Sequence, residues 1–149
     1  LKGIFAMMHL QNTATKVAIT PQSLSAAGTA SGWVDTLGYD EAAVDHILDS
    51  QAASATNPAV LTLQEGETTT AFTDITKFVG DATDGFTIPA TQTTPGVTRL
   101  NVDLRARKRY LNVLVTHGGT AALQTVVVTL GRAGDSTIAR AQMAGVVDG

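Results

Sequence analysis

The chain has no cysteine. That excludes a disulfide-stapled scaffold, a thiolate metal site and a cysteine nucleophile. Charge is scarce too: Asp, Glu, Lys and Arg supply 15% of the 149 residues, against about a quarter in ordinary soluble domains. Aromatics are 5%, with a single Trp at position 33, too few for a broad sugar-stacking platform. No apolar run approaches the roughly 18 residues that would suggest a membrane span. The apolar cluster Ile4 to Leu10 is too short, and no signal-peptide cleavage pattern follows it. The HExxH, GxSxG, Walker and GxGxxG patterns are all absent.

Thr, Ala and Gly fill the space left by charge, and hydrophobic residues are 44% of the chain. The length fits one domain with a core that needs no disulfide or metal. Thr98 to Leu130 organises the rest. Leu100, Val102 and Leu104 alternate with Arg99, Asn101, Asp103 and Arg105. After the basic corner Arg105 to Arg109, Tyr110 to Thr116 runs into the turn His117-Gly118-Gly119, and Leu123 to Leu130 is a further β-branched run. Alternation bounded by Gly-rich turns predicts two or three successive strands here.

Earlier in the chain, strands are expected at 16–20, ended by Pro21, and at 33–36, 60–65, 72–75 and 86–88. Residues 22–32 read as a Ser/Ala/Gly/Thr-rich loop. Residues 42–49 fit both helical and strand spacing, and flanking strands favour a strand. Eight to nine short strands with little helix predict an all-β antiparallel sandwich, jelly-roll-like, spanning 16–132. An N-terminal arm (1–15) and a C-terminal tail (133–149) would flank it.

The candidates for chemistry are few. His9, His46 and His117 lie far apart in sequence, and each is expected to be structural. Asp81, Thr83 and Asp84 beside Gly85 offer oxygens for Ca²⁺, but the EF-hand spacing is missing, and Asp and Gly are ordinary turn formers. No catalytic residue, metal or cofactor is therefore expected, and the chain does not read as an enzyme. Binding residues are the better prospect. Net charge is −3, which argues against a nucleic-acid partner. Residues 1–98 carry a net −7 and residues 99–149 a net +4. Either the two halves interleave in one sandwich and cancel, or acidic and basic faces meet between copies of the chain. The interface residues favoured are Ile4, Phe5, Met7, Met8 and Leu10 of the arm, with Arg105, Arg107, Lys108 and Arg109 of the corner.

Five segments carry a resemblance. They are Thr36-Leu37-Gly38-Tyr39-Asp40, the run Asn57 to Glu65, Phe72-Thr73-Asp74-Ile75, the run Asp84 to Pro89, and Asp103 to Leu111. In order and spacing the set resembles a family of small phage and prophage virion proteins. Where that family often has Asp-Gly-x-x-Trp, this chain has Thr69, Thr70 and Phe72. The resemblance implies a capsid decoration (cement) protein on the virion surface. Its partners would be the major capsid protein and further copies of itself, a trimer being favoured. The Leu63-Gln64-Glu65 hairpin and the Arg-Lys-Arg-Tyr-Leu strand start are also reminiscent of discoidin-like sandwiches. That second resemblance implies a carbohydrate-binding module or a fibre-associated adhesion domain, and calls for an exposed aromatic, Trp33 or Tyr39.

Overall fold

A computed structural model describes residues 13–50, 58–89, 94–119 and 121–132. The expected arm residues Ile4, Phe5, Met7, Met8 and Leu10, His9, and the tail from 133 onward lie outside the described residues.

Among the described residues, eight strands form two four-stranded antiparallel sheets. They are β1 (Ala14–Leu24), β2 (Thr29–Asp35), β3 (Glu41–Leu48), β4 (Val60–Gly66), β5 (Thr73–Val79), β6 (Gly96–Asp103), β7 (Tyr110–Thr116) and β8 (Ala122–Gly131). One sheet has the order β1-β8-β3-β6 and the other β2-β7-β4-β5. The pairings are nested: β1 with β8, β2 with β7, β3 with β6, and β4 with β5. Only β4 and β5 form a hairpin within one sheet; every other consecutive pair crosses between sheets. The Thr98–Leu130 stretch supplies one interior strand to each sheet, β8 and β7, and most of the edge strand β6.

Strand alternation builds the core. Leu61 and Leu63 of β4, Leu111, Val113 and Val115 of β7, and Val126, Val128 and Leu130 of β8 are all fully buried between the sheets. Each such side chain contributes roughly 1.5–3 kcal/mol of apolar burial. Of residues 42–49 all but Asp49 are strand, as flanking context suggested, because Val44, His46 and Leu48 all point inward.

Three local expectations need correction. Pro21 does not end β1, which continues to Leu24 through register shifts between Val17 and Gln22. An edge strand tolerates proline because its outer N–H groups have no partner to lose. The expected loop 22–32 therefore holds the end of β1 and the start of β2. Residues 86–88 form no strand; Phe86 makes one isolated bridge to Gly80, and Ile88 is buried in the core.

Gly32 sits where β1 crosses β2. A Cβ there would lie 1.7 Å from the carbonyl oxygen of Ala18. This close approach fixes the position of β2 and of Trp33 beside it. Backbone hydrogen bonds tie the connections together at both ends of the sandwich. At one end Ala27 N–H donates to His117 O and His117 N–H to Gly28 O. At the other, Thr36 N–H donates to Arg109 O, Asp40 N–H to Gly131 O, and Leu104 N–H to Asp40 O.

Candidate functional site

The basic corner lies at the second of these ends. Asp103 accepts the Arg105 backbone N–H at 3.1 Å and its guanidinium, which shapes the turn and holds the Asp103 carboxyl far below the usual carboxylate range. Arg107 approaches Glu65 at 3.7 Å, and the Lys108 backbone N–H donates to the same carboxylate at 3.2 Å. Arg109 forks onto Asp35 at 3.0 and 2.8 Å, and that contact draws the Asp35 carboxyl below its ordinary range. So each arginine of the corner faces an acid of its own chain. Asp45 in β3 takes both prongs of Arg99 in β6, at 2.6 and 2.7 Å. Asp35, Asp45 and Glu65 belong to the acidic half, and Arg109, Arg99 and Arg107 to the basic half. The two halves interleave within one sandwich. Beside the corner, a cleft of about 450 Å³ is lined by Asp40, Glu41, Asn101, Asp103, Arg105 and Arg132 together with apolar Ala42, Ala43 and Val102.

The outer face of β2-β7-β4-β5 holds the exposed Trp. Trp33 is 45% exposed, whereas Tyr39 is 6% exposed and belongs to the core. Trp33 stands edge-to-face with Tyr110, ring centroids 5.5 Å apart at 86°. The Arg109 guanidinium lies 5.0 Å from the Tyr110 centroid, an attractive cation–π arrangement. Register places Trp33 opposite Asn112, Asn112 opposite Gln64, and Gln64 opposite Asp74. These four side chains form a row across all four strands. Asn112 Nδ2 donates to Gln64 Oε1 at 2.8 Å, and Gln64 Nε2 donates to Asp74 Oδ1 at 2.7 Å. An ionised carboxylate only accepts, so Asp74 fixes the orientation of both amides.

The outer face of β1-β8-β3-β6 is different in character. Val17, Ile47, Val97 and Leu123 are exposed there, with Thr125 beside Ile47, the self-neutralised Asp45–Arg99 pair in the row of Val17, and Thr15 and Thr129 in the row beyond it. Six large hydrophobics are exposed among the described residues, and this face holds four of them.

Inside the sandwich, at the end away from the corner, His46, Gln124 and His117 form a buried polar line. His46 Nε2 lies 2.8 Å from Gln124 Oε1, and Gln124 Nε2 lies 3.4 Å from His117 Nδ1. Since Gln124 Oε1 only accepts, His46 carries its proton on Nε2; its Nδ1 has no partner. Burial pushes the His46 imidazole below its ordinary range. Both described histidines are thus core residues. Asp81, weighed as a Ca²⁺ ligand, spends its carboxylate on the Ile88 backbone N–H at 2.9 Å.

Sequence reasoning found Trp33 and the corner, but missed Asn112, Gln64, Asp74, Asp45 and Gln124. Alternation places 64 and 112 on outward faces, yet their adjacency depends on a register between strands far apart in sequence.

The class that this fold defines is a two-sheet antiparallel β-sandwich. No protein-family model matches the chain, and no curated protein matches it. Among solved structures the chain is similar to one described as a family GH115 4-O-methyl-α-glucuronidase with specificity for decorated arabinogalactans. The identity is 8% and the TM-score 0.43, over 83% of this chain and 17% of that enzyme. This chain therefore corresponds to a small part of the enzyme's length, and a likeness of that degree assigns it neither substrate nor reaction.

Proposed function

We propose that the chain is a structural virion protein of the capsid decoration type, seated on shell subunits through the outer face of β1-β8-β3-β6. The observation that carries this reading is that Val17, Ile47, Val97 and Leu123 are all exposed on one sheet face. Large apolar side chains exposed together on one face mark protein–protein contact. The nested strand pairing supports the finer description as a jelly roll, an architecture used by viral capsid and lectin domains alike. The segmental resemblance to phage virion proteins points the same way. Thr125 and the Asp45–Arg99 pair among the apolar side chains suit a contact that stays soluble before assembly.

The corner is the second proposed contact. Its arginines are neutralised within the chain, so it would act through geometry and redistributed ion pairs rather than through free positive charge. The paired variant Arg107→Glu with Lys108→Glu is expected to keep its fold and to bind shells more weakly. Circular dichroism and co-sedimentation together check this, and loss of folding would mark the corner as purely internal structure.

The principal test uses shells assembled from the major capsid protein of the same virion gene cluster. Wild-type protein is expected to co-sediment saturably, and Val17→Lys with Val97→Lys to stay in the supernatant at unchanged thermal stability. Failure of the wild type to bind, or binding indifferent to the double variant, would sink the proposal. Sedimentation velocity on the free protein checks the expected homo-oligomer. A carbohydrate-binding role is the second reading, favoured by the exposure of Trp33 on the opposite sheet.

A further inference from the structure

We propose that the outer face of β2-β7-β4-β5 is a binding surface for neutral glycans, with Trp33 as the stacking platform and the exposed Asp74, held in place through Gln64 and the buried Asn112, as the hydroxyl acceptor. The site develops the second reading and is independent of shell docking, because it lies on the opposite face of the sandwich.

The chemistry of a pyranose explains the residue types. A sugar ring presents a patch of C–H bonds on one face and hydroxyls around its rim. An indole receives the former; amides and carboxylates exchange hydrogen bonds with the latter. Trp33 offers an exposed surface on the edge strand β2. Tyr110 buttresses it edge-on, and Arg109 and Asp35 hold Tyr110 in turn. The platform is therefore ordered before any ligand arrives, which lowers the entropic cost of binding.

The acceptor is ordered as well. Asn112 is only 4% exposed and Gln64 is half-buried, but Asp74 is exposed. A carboxylate has about four lone-pair positions, and Gln64 is bound to one of its oxygens, so Asp74 keeps acceptor capacity for sugar hydroxyls. Four strands spaced about 4.8 Å apart give the row a length of roughly 14 Å, enough for a di- to trisaccharide.

Charge selects the class of sugar. Arg109 is engaged by Asp35, and Lys108 Nζ leans toward Thr73 at 3.5 Å. Asp74 adds a negative charge to the face. A uronate or sulfated sugar would meet the Asp74 carboxylate directly, and the arginines of the adjoining corner are already paired with Asp35 and Glu65, so the preferred ligand at Asp74 is neutral.

Trp33 is the only Trp in the chain, so its own fluorescence reports on the site. The test titrates the full chain with cellotriose, galactotriose and mannotriose, and with a glucuronate-containing trisaccharide as the acidic counterpart, each to millimolar concentration. A saturable change in Trp33 emission is expected with at least one neutral trisaccharide and none with the acidic one. Binding to that trisaccharide, measured by calorimetry, should weaken by about tenfold or more in Trp33→Ala and several-fold in Asp74→Ala. Both variants should keep the wild-type fold by circular dichroism, since neither side chain belongs to the core. Silence toward all three neutral sugars, a response confined to the acidic sugar, or unchanged affinity in Trp33→Ala would each overturn the assignment. Trp33→Ala should still co-sediment with shells, so failure here is distinguishable from failure of the docking reading.

Discussion

Replacing Gly32 with alanine is expected to destabilise the fold by about 2–3 kcal/mol, the upper part of the range for forcing atoms into a filled core. In a domain of this size that lowers the melting temperature by roughly 6–12 °C. The cause is a single contact. A Cβ at residue 32 would lie 1.7 Å from the Ala18 carbonyl oxygen and 2.6 Å from its carbon. Those atoms are backbone, so they cannot rotate away; β1 itself would have to lift off β2. Gly131 supplies the control. Its hypothetical Cβ meets the Glu41 carboxylate oxygen at 2.9 Å, the far end of a flexible side chain that can move. Gly131→Ala should therefore cost less than about 1 kcal/mol. Thermal unfolding of the two variants side by side checks the contrast, and equal melting temperatures would refute the role given to the β1–β2 crossing. Gly32→Ala should also perturb Trp33 emission, because the indole stands on the next residue.

The second large effect is a loss of stability in mild acid. His46 is neutral and buried, and burial holds its pKa below the ordinary value. The groups facing it are Gln124, with His117 beyond, and Thr98 across the strand pair. Above about pH 6.5 both folded and unfolded chains carry neutral imidazole there, and this group gives no pH dependence. Below that value the unfolded chain binds a proton that the folded chain does not. Stability then falls with falling pH, by at most about 1.4 kcal/mol per pH unit for one such group, until the folded His46 itself titrates. The carboxylates act in a lower window. Arg109 and Arg105 hold Asp35 and Asp103 below their usual values, so their contribution is complete above about pH 4 and is lost as pH falls further. Urea unfolding followed by Trp33 fluorescence from pH 7.5 to 4.5 covers the His46 window and stays above that of the carboxylates. A falling midpoint between about pH 6.5 and 4.5 is expected in wild type, with the slope reduced in His46→Gln. An unchanged slope in that variant would assign the effect elsewhere.

Much of the fold was legible because a strand's alternation is a local property. Leu100, Val102 and Leu104 are read as one buried face without knowing what covers them, and the structure buries all three. The helix-or-strand ambiguity at 42–49 was resolved correctly by context alone. Pro21 misled because its effect depends on whether a strand is interior or at an edge, and that is a property of the sheet. Residues 29–32 were missed because Thr, Ala, Ser and Gly show no apolar alternation; what makes them strand is pairing with Thr116 to Val113 of β7.

The candidate sites divide in the same way. Trp33 stood out as the single Trp, but nothing local distinguished it from Tyr39; one is exposed and the other is core because of where β2 and the following turn fall in the sandwich. The charge asymmetry between the halves was visible, yet its resolution depended on which strands pair. Once β3 lies beside β6, Asp45 meets Arg99. Once β2 lies beside β7, Asp35 meets Arg109.

The sequence by itself determined that this is a cysteine-free all-β chain with its strongest strands in Thr98–Leu130, since composition and period-two alternation depend only on neighbours along the chain. The tertiary structure alone decided the nested order of the eight strands, the apolar outer face of one sheet and the Trp33 row on the other. Those features bring together side chains as far apart as Trp33 and Asn112, or Asp45 and Arg99. Their contact follows from sheet register, which is set by the packing of all the strands together.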